Sequence, residues 1–153
     1  MPLLNYTTTI TVHKTAGEIQ ETLAKAGAKM IIIEYGDDRI PESVSFQIKL
    51  DQGRFANFRL PSRWEGVWKV LCNESIPTRL KTEEQARRVA WRIIKDWVEA
   101  QVAIIEAGSA ELSEVFLPYL INPQTQHTLF EDFKSGYLLP SGPGDIVEGE
   151  VRE

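Results

Sequence analysis

The sequence predicts an α+β fold: an N-terminal β-α-β-β-β arrangement forming a mainly antiparallel sheet, then a helical C-terminal half built on one long central helix. Three observations predict this fold. Strand-like alternation and a hairpin signal occur between residues 6 and 60, whereas helical periodicity dominates afterwards and is longest from 82 to 107. The length of 153 residues fits one domain. We expect that domain to cover residues 1–139.

The first elements are read from residue alternation and capping patterns. Residues 6–12, YTTTITV, alternate between two faces, which predicts a half-buried first strand: one face carries three threonines, and the other carries Tyr6, Thr8, Ile10 and Val12. Thr15 and Glu18 form a capping-box pattern, so a helix is expected from there to Gly27. Residues 30–35 are apolar at nearly every position, which predicts a central strand covered on both faces.

A β-hairpin follows. Residues 44–50 alternate strictly between apolar and polar side chains, and Asp51-Gln52-Gly53 is a turn sequence. Residues 54–60 form the returning strand, and Pro61 closes the sheet. Along that strand Ala56, Phe58 and Leu60 are expected to face the core, and the opposite face is expected to carry Phe55, Asn57 and Arg59.

The long helix begins at Thr82, which forms a capping box with Gln85, and Gly108 ends it. Its apolar residues form two adjacent stripes: Ala86, Ala90, Ile93, Trp97, Ala100 and Ile104, and beside them Trp91, Ile94, Val98, Val102 and Ile105. Together they cover about half of the helix circumference, more than many surface helices show. We therefore expect other parts of the protein to pack against this helix on two sides. We also expect a homo-oligomer, namely a dimer, whose interface is the second stripe.

Shorter helices are predicted around this one. Ser62 can cap a helix that runs to about Cys72, Ser109 can cap another, and residues 126–134 are weakly helical. The Pro/Gly-rich acidic stretch 140–153 is expected to be a disordered tail.

The charge is unevenly distributed. The net charge is −5, yet residues 54–95 contain ten Lys and Arg against four Asp and Glu, a balance of +6. This asymmetry predicts a basic zone that attracts phosphate. The alternative is that basic and acidic parts neutralise each other within the fold or between subunits.

Candidate ligand-binding residues are the arginines and aromatic rings of that zone. Arginine offers paired donors for phosphate, and an aromatic ring can stack on a base. Arg87 falls inside the apolar arc, so it either reaches out to solvent along its stem or points into a site. Alternatively, the rings are core residues and the arginines pair with acids. The candidates are Arg54, Phe55, Arg59, Arg63, Trp64, Arg87, Arg88 and Arg92.

The sequence lacks the motifs of several classes of metal-binding, nucleotide-binding and catalytic site. His13, His127 and Cys72 lie at no metal-binding spacing, and there is no phosphate loop, dinucleotide fingerprint or nucleophile elbow. We expect no cofactor, no metal and no catalysis, although His127 or Cys72 in a pocket beside a carboxylate would favour an enzyme. No apolar run has transmembrane length and MPLLNYTTTI is not a signal-peptide pattern, which predicts a cytoplasmic protein without membrane contact.

Four stretches carry a family resemblance: FRLP (58–61), GVWKVL (66–71), residues 82–108 and EVFLPYL (114–120). In these the chain resembles a family of small uncharacterised proteins from bacteriophages, prophages and other mobile elements. The resemblance implies a phage or mobile-element accessory protein in a bacterial cytoplasm that acts by binding. We expect it to bind an anionic ligand, nucleic acid or a nucleotide. The alternative is a protein–protein inhibitor or adaptor that acts on a host defence protein.

Overall fold

The computed structural model describes residues 1–136, so the predicted tail at 140–153 lies outside the described residues. The α+β fold class is confirmed, with one antiparallel sheet and a long helix. In chain order the elements are α1 (Val12–Lys25), β1 (Met30–Tyr35), β2 (Pro41–Lys49), β3 (Phe55–Pro61), α2 (Trp64–Asn73), α3 (Glu83–Glu106), α4 (Leu112–Phe116) and α5 (Leu129–Lys134).

The predicted strand at 6–12 is wrong, because the sheet of the described chain has three strands and none of them includes these residues. Thr11 instead caps α1, its hydroxyl accepting from the Lys14 amide at 3.2 Å. The carbonyls of Tyr6 and Thr8 accept hydrogen bonds from Nε2 of Gln85 at 2.8 and 2.9 Å. Because a side chain of α3 satisfies these carbonyls, the segment needs no neighbouring strand.

The sheet order is β1-β2-β3, so β2 is central and the prediction of a central strand at 30–35 is wrong. β1 lies at the edge, and alternate residues differ in exposure. Met30 and Ile32 are 49 % and 50 % exposed, whereas Ile31 and Ile33 are partly buried against the core. The apolar run at residues 30–33 therefore has one face covered by the core and one face that is apolar but open.

Only one face of the sheet carries the core. Ala56, Phe58 and Leu60 of β3 are buried, as predicted, and pack with residues of α1 and α3. The alternate residues Phe55 and Asn57 are exposed on the opposite face. That uncovered side, to which β1 contributes Met30 and Ile32, is called the open face below.

The long helix that capping and periodicity predicted is confirmed as α3. The Thr82 hydroxyl accepts from the Gln85 amide at 3.1 Å, and the helix ends at Glu106. One side of α3 packs into the main core through Trp91. Another side contributes Val89 to a second buried cluster with α2. The wide apolar arc is thus covered on two sides by the chain itself.

Candidate binding site on the open sheet face

The open face forms a groove of about 620 Å³. Its floor consists of outward-facing residues of all three strands, and one wall is the segment 120–126. This segment is fixed to the edge of β3, because the Ile121 amide donates to the Asn57 carbonyl at 2.8 Å. We call it the open-face groove, and the residues that matter for its chemistry are Met30, Ile32, Phe55, Asn57, Arg59 and Gln126.

The polar part of the groove is balanced in charge. Nε of Arg59 lies 3.7 Å from Oε1 of Glu34, and its Nη1 donates to the Gln126 carbonyl at 3.3 Å. Nε2 of Gln47 donates to Oδ1 of Asn57 at 3.2 Å. The charged side chains that line the groove are these two, Glu34 and Arg59, so it offers amides and one ion pair rather than a positive surface.

The apolar part of the groove is exposed to solvent. Met30 and Ile32 of β1 line it, and Phe55 of β3 has 53 % of its surface exposed. Large apolar side chains that share an uncovered concave surface are typical of binding sites. The geometry can therefore hold a ligand that has apolar side chains or rings together with hydrogen-bonding groups.

The arginines of α3 are held by acids of the same chain. Arg88 donates to Glu84 at 2.7 Å. Arg92 forms an ion pair with Glu18 of α1. This pairing is the neutralisation that the charge pattern left open as an alternative. The guanidinium groups of Arg88 and Arg92 are thus each paired with an acid of the chain, and their ligand-binding roles remain a prediction.

Arg87 has two partners that the sequence did not reveal. Its Nη1 forms an ion pair with Asp38, in the turn between β1 and β2, and its guanidinium lies over the ring of Trp64 at 4.3 Å. The amide of Ile40 and the guanidinium of Arg87 lower the pKa of Asp38. Arg87 thus points neither to solvent nor into the groove.

The predicted basic zone is not one surface. Arg59 lies on the open face, whereas the arginines of α3 belong to the helical layer behind the sheet. Arg63 precedes α2 and lies over the ring of Phe130 at 5.7 Å. Arg54 directly precedes β3. Of the predicted ligand-binding residues, Phe55 and Arg59 are those that the structure brings together in the groove.

The predicted dimer interface on α3 is contradicted for three of its five residues. Trp91 and Val98 are fully buried and Val102 is 6 % exposed within the single chain. Ile94 and Ile105 are partly buried against the same core. The stripe is apolar because it packs on the chain's own core. The dimer itself remains a prediction.

Asp132 is an important residue that the sequence did not single out. It is 2 % exposed and accepts from Nδ2 of Asn122 at 3.0 Å and from the Thr125 hydroxyl at 3.1 Å. Nδ1 of His127 lies 3.4 Å from the same carboxylate. Asp132 thereby fixes the segment that walls the groove. The capping box between Thr128 and Glu131 was the local signal that could have located it.

Neighbouring Glu131 is held in its charged form. The amide of Thr128 is the main cause of its lowered pKa. The pair of His127 and Asp132 places a histidine beside a carboxylate, but the His127 side chain is 60 % exposed and does not line the groove. Cys72 is exposed as well. Neither His127 nor Cys72 lines the open-face groove.

Residues 1–136 contain no cluster of three or more His, Cys, Asp or Glu side chains that could hold a metal ion. No helix in this part of the chain has the length and apolar character needed to span a membrane.

No protein-family model matches the chain, and neither the curated proteins nor the solved structures include a match. The functional assignment therefore depends on the geometry of the open-face groove.

Proposed function

We propose that the protein is a non-enzymatic binding protein, and that its open-face groove holds an extended segment of a partner protein. One observation carries the proposal: Met30, Ile32 and Phe55 are half exposed in one groove that also presents amide side chains. Burying such residues against a ligand is favourable, by about 25 cal/mol for each Å² of apolar surface removed from water.

The shape and chemistry of the groove suit a peptide. Its volume of about 620 Å³ lies in the usual range for ligand sites and would take a few side chains. An extended peptide presents alternate side chains to a surface and leaves its amides free for hydrogen bonds. Asn57 and Gln126 line the groove beside its apolar floor, and their side-chain amides can form hydrogen bonds with the backbone of such a peptide.

The charges favour a peptide over a polyanion. Nucleic-acid affinity depends on free cationic groups that neutralise phosphates. In this chain Arg88 and Arg92 are paired with acids, and Arg59 shares the groove with Glu34. A groove with balanced charge gives little attraction for a phosphate backbone.

The biological context comes from the family resemblance alone. In a phage or mobile-element accessory protein of a bacterial cytoplasm, the partner would be a host protein. The chain would then act as an inhibitor or adaptor on a host defence protein.

The test is a selection from a random peptide library displayed on phage, with the full chain immobilised. We expect a recurring motif with apolar residues at alternate positions, and binding of the synthetic peptide in fluorescence anisotropy. The double variant Ile32→Ser, Phe55→Ser should lose that binding. Val70→Ser is the control, since Val70 is 41 % exposed on α2 and does not line the groove. A peptide that binds the double variant as well as the wild type would refute the groove.

A second candidate function is nucleotide or single-stranded nucleic-acid binding on the same face. Phe55, Asn57 and Arg59 point outward from successive alternate positions of β3, which would place a stacking ring in line with an amide and a guanidinium. Anisotropy with labelled single-stranded DNA at two salt concentrations tests it. Salt-sensitive binding that Phe55→Ser abolishes would favour this candidate over the peptide.

A further inference from the structure

The two edges of the sheet are treated differently by the chain. The β3 edge is occupied: Phe58 forms a bridge with Leu120, and the Ile121 amide donates to the Asn57 carbonyl. β1 pairs with β2 alone, and within residues 1–136 no other strand lies on its outer side. The outward amides and carbonyls of β1 are therefore available for another strand.

The exposed edge lacks the features that usually prevent strand pairing. Proteins protect an edge with prolines, charges within the strand, bulges or a covering segment. Met30–Ile33 is a run of four apolar residues, and the first charge inside β1 is Glu34. The irregularity in pairing with β2 also begins only there, between Glu34 and Tyr35. Four of the six residues of β1 therefore form an apolar edge without a charge, a proline or a bulge.

We propose that the chain forms a two-fold symmetric dimer in which β1 pairs antiparallel with β1 of a second copy. The result is a six-stranded sheet, because each copy contributes the three strands of its own sheet. A two-fold axis through Ile32 pairs residues 30–34 of the two copies and leaves Tyr35, beyond the pairing irregularity, outside the junction. It places Ile31 opposite Ile33 of the partner subunit and Met30 opposite Glu34 of the partner subunit.

This arrangement is self-complementary in charge and shape. The two Glu34 side chains lie on opposite sides of the axis, so they do not face each other, and like charges in direct opposition are avoided. Met30 and Ile32, half exposed in the monomer, gain apolar neighbours across the junction. The open faces of both copies lie on one side of the joined sheet, so the two grooves become adjacent. A second copy fits this edge because its own β1 supplies a matching strand whose first four residues carry no charge.

The first experiment is sedimentation equilibrium of the full chain over a concentration series. We expect a mass of twice 17.4 kDa at micromolar concentration. Ile32→Lys would put two like charges at the axis and should weaken association about tenfold or more. Phe55→Lys is the matched control, because it adds the same charge to the same face but on the opposite edge strand, and it should stay dimeric.

The second experiment is disulfide trapping in a Cys72→Ser background, since Cys72 is exposed and would cross-link on its own. Residues directly opposite in an antiparallel pair have Cα atoms about 4.5–5.5 Å apart, within disulfide reach. Ile32→Cys should form a covalent dimer on oxidation, and Phe55→Cys should not. A wild-type chain that stays monomeric throughout, or a dimer that is insensitive to Ile32→Lys and not trapped by Ile32→Cys, would overturn the proposal.

Discussion

The guanidinium of Arg87 lies 4.3 Å from the ring centre of Trp64, where it is also paired with Asp38. This contact joins α3 to the start of α2 and to the turn between β1 and β2. It explains why a charged residue occurs in the apolar arc of α3: the ring covers its planar face and the carboxylate balances its charge. These two contacts within the chain indicate that Arg87 stabilises the fold.

Replacing Arg87 should destabilise the protein. Arg87→Ala removes a stacked, nearly buried guanidinium and should lower the free energy of unfolding by about 1–2 kcal/mol. Arg87→Lys should recover only part of this loss, since an ammonium keeps the charge without the planar stacking. Urea denaturation measures both. The control Arg54→Ala should change stability by less than about 0.5 kcal/mol, and equal effects at the two positions would refute the structural role.

The Asp38 carboxylate should make stability depend on pH in the acid range. Its pKa is lowered in the folded state by the Ile40 amide and by Arg87, so its contribution is fully present above the unfolded pKa. That contribution is lost as pH falls through the folded pKa, where the carboxylate becomes protonated. Asp38→Asn should therefore lose less stability between pH 5 and pH 2 than the wild type, as measured by urea midpoints. An identical pH dependence in both proteins would contradict this linkage.

Asp132 should be needed both for stability and for the groove wall. Asp132→Ala leaves the partly buried donors of Asn122 and Thr125 without their acceptor, which should cost about 1–3 kcal/mol in the free energy of unfolding. Because segment 120–126 walls the groove, peptide binding should also weaken. Asp51→Ala is the control, since Asp51 is exposed in the hairpin turn. If Asp132→Ala is as stable as Asp51→Ala, the carboxylate does not organise the segment.

Trp91 should behave as a core residue and not as an interface residue. Trp91→Ala should reduce the free energy of unfolding by about 3–5 kcal/mol, the usual cost of such a cavity. Trp91→Phe should cost less, because the indole Nε1 is buried without a hydrogen-bond partner and its removal relieves that penalty. Thermal unfolding in the Ile32→Lys background separates folding from association. A milder effect of Trp91→Ala than of Trp91→Phe would contradict the assignment.

Local signals predicted much of this fold. Thr82 and Gly108 bracket α3, and strict alternation located the two strands of the hairpin. The segment at 6–12 was misread, because alternation alone does not distinguish a strand from an extended segment whose carbonyls bind a distant side chain. That side chain is Gln85, 79 residues away from Tyr6.

The candidate site was predicted only in part. The alternation of β3 correctly placed Phe55 and Arg59 on the face opposite the core. The ion pairs of Arg87 and Arg92 join residues 49 and 74 positions apart, which no local pattern reveals. The contribution of Met30 and Ile32 was missed because a strand that is apolar at nearly every position was interpreted as buried on both faces.

We propose that the partner peptide binds to the open-face groove and not to the arginines of α3. The most direct measurement is the affinity of the library-selected peptide in fluorescence anisotropy for two double variants. Ile32→Ser, Phe55→Ser should weaken binding at least about tenfold, which corresponds to about 1.4 kcal/mol. Arg88→Ala, Arg92→Ala should leave it within about twofold. Loss of binding in the arginine variant, with the groove variant unaffected, would contradict the account.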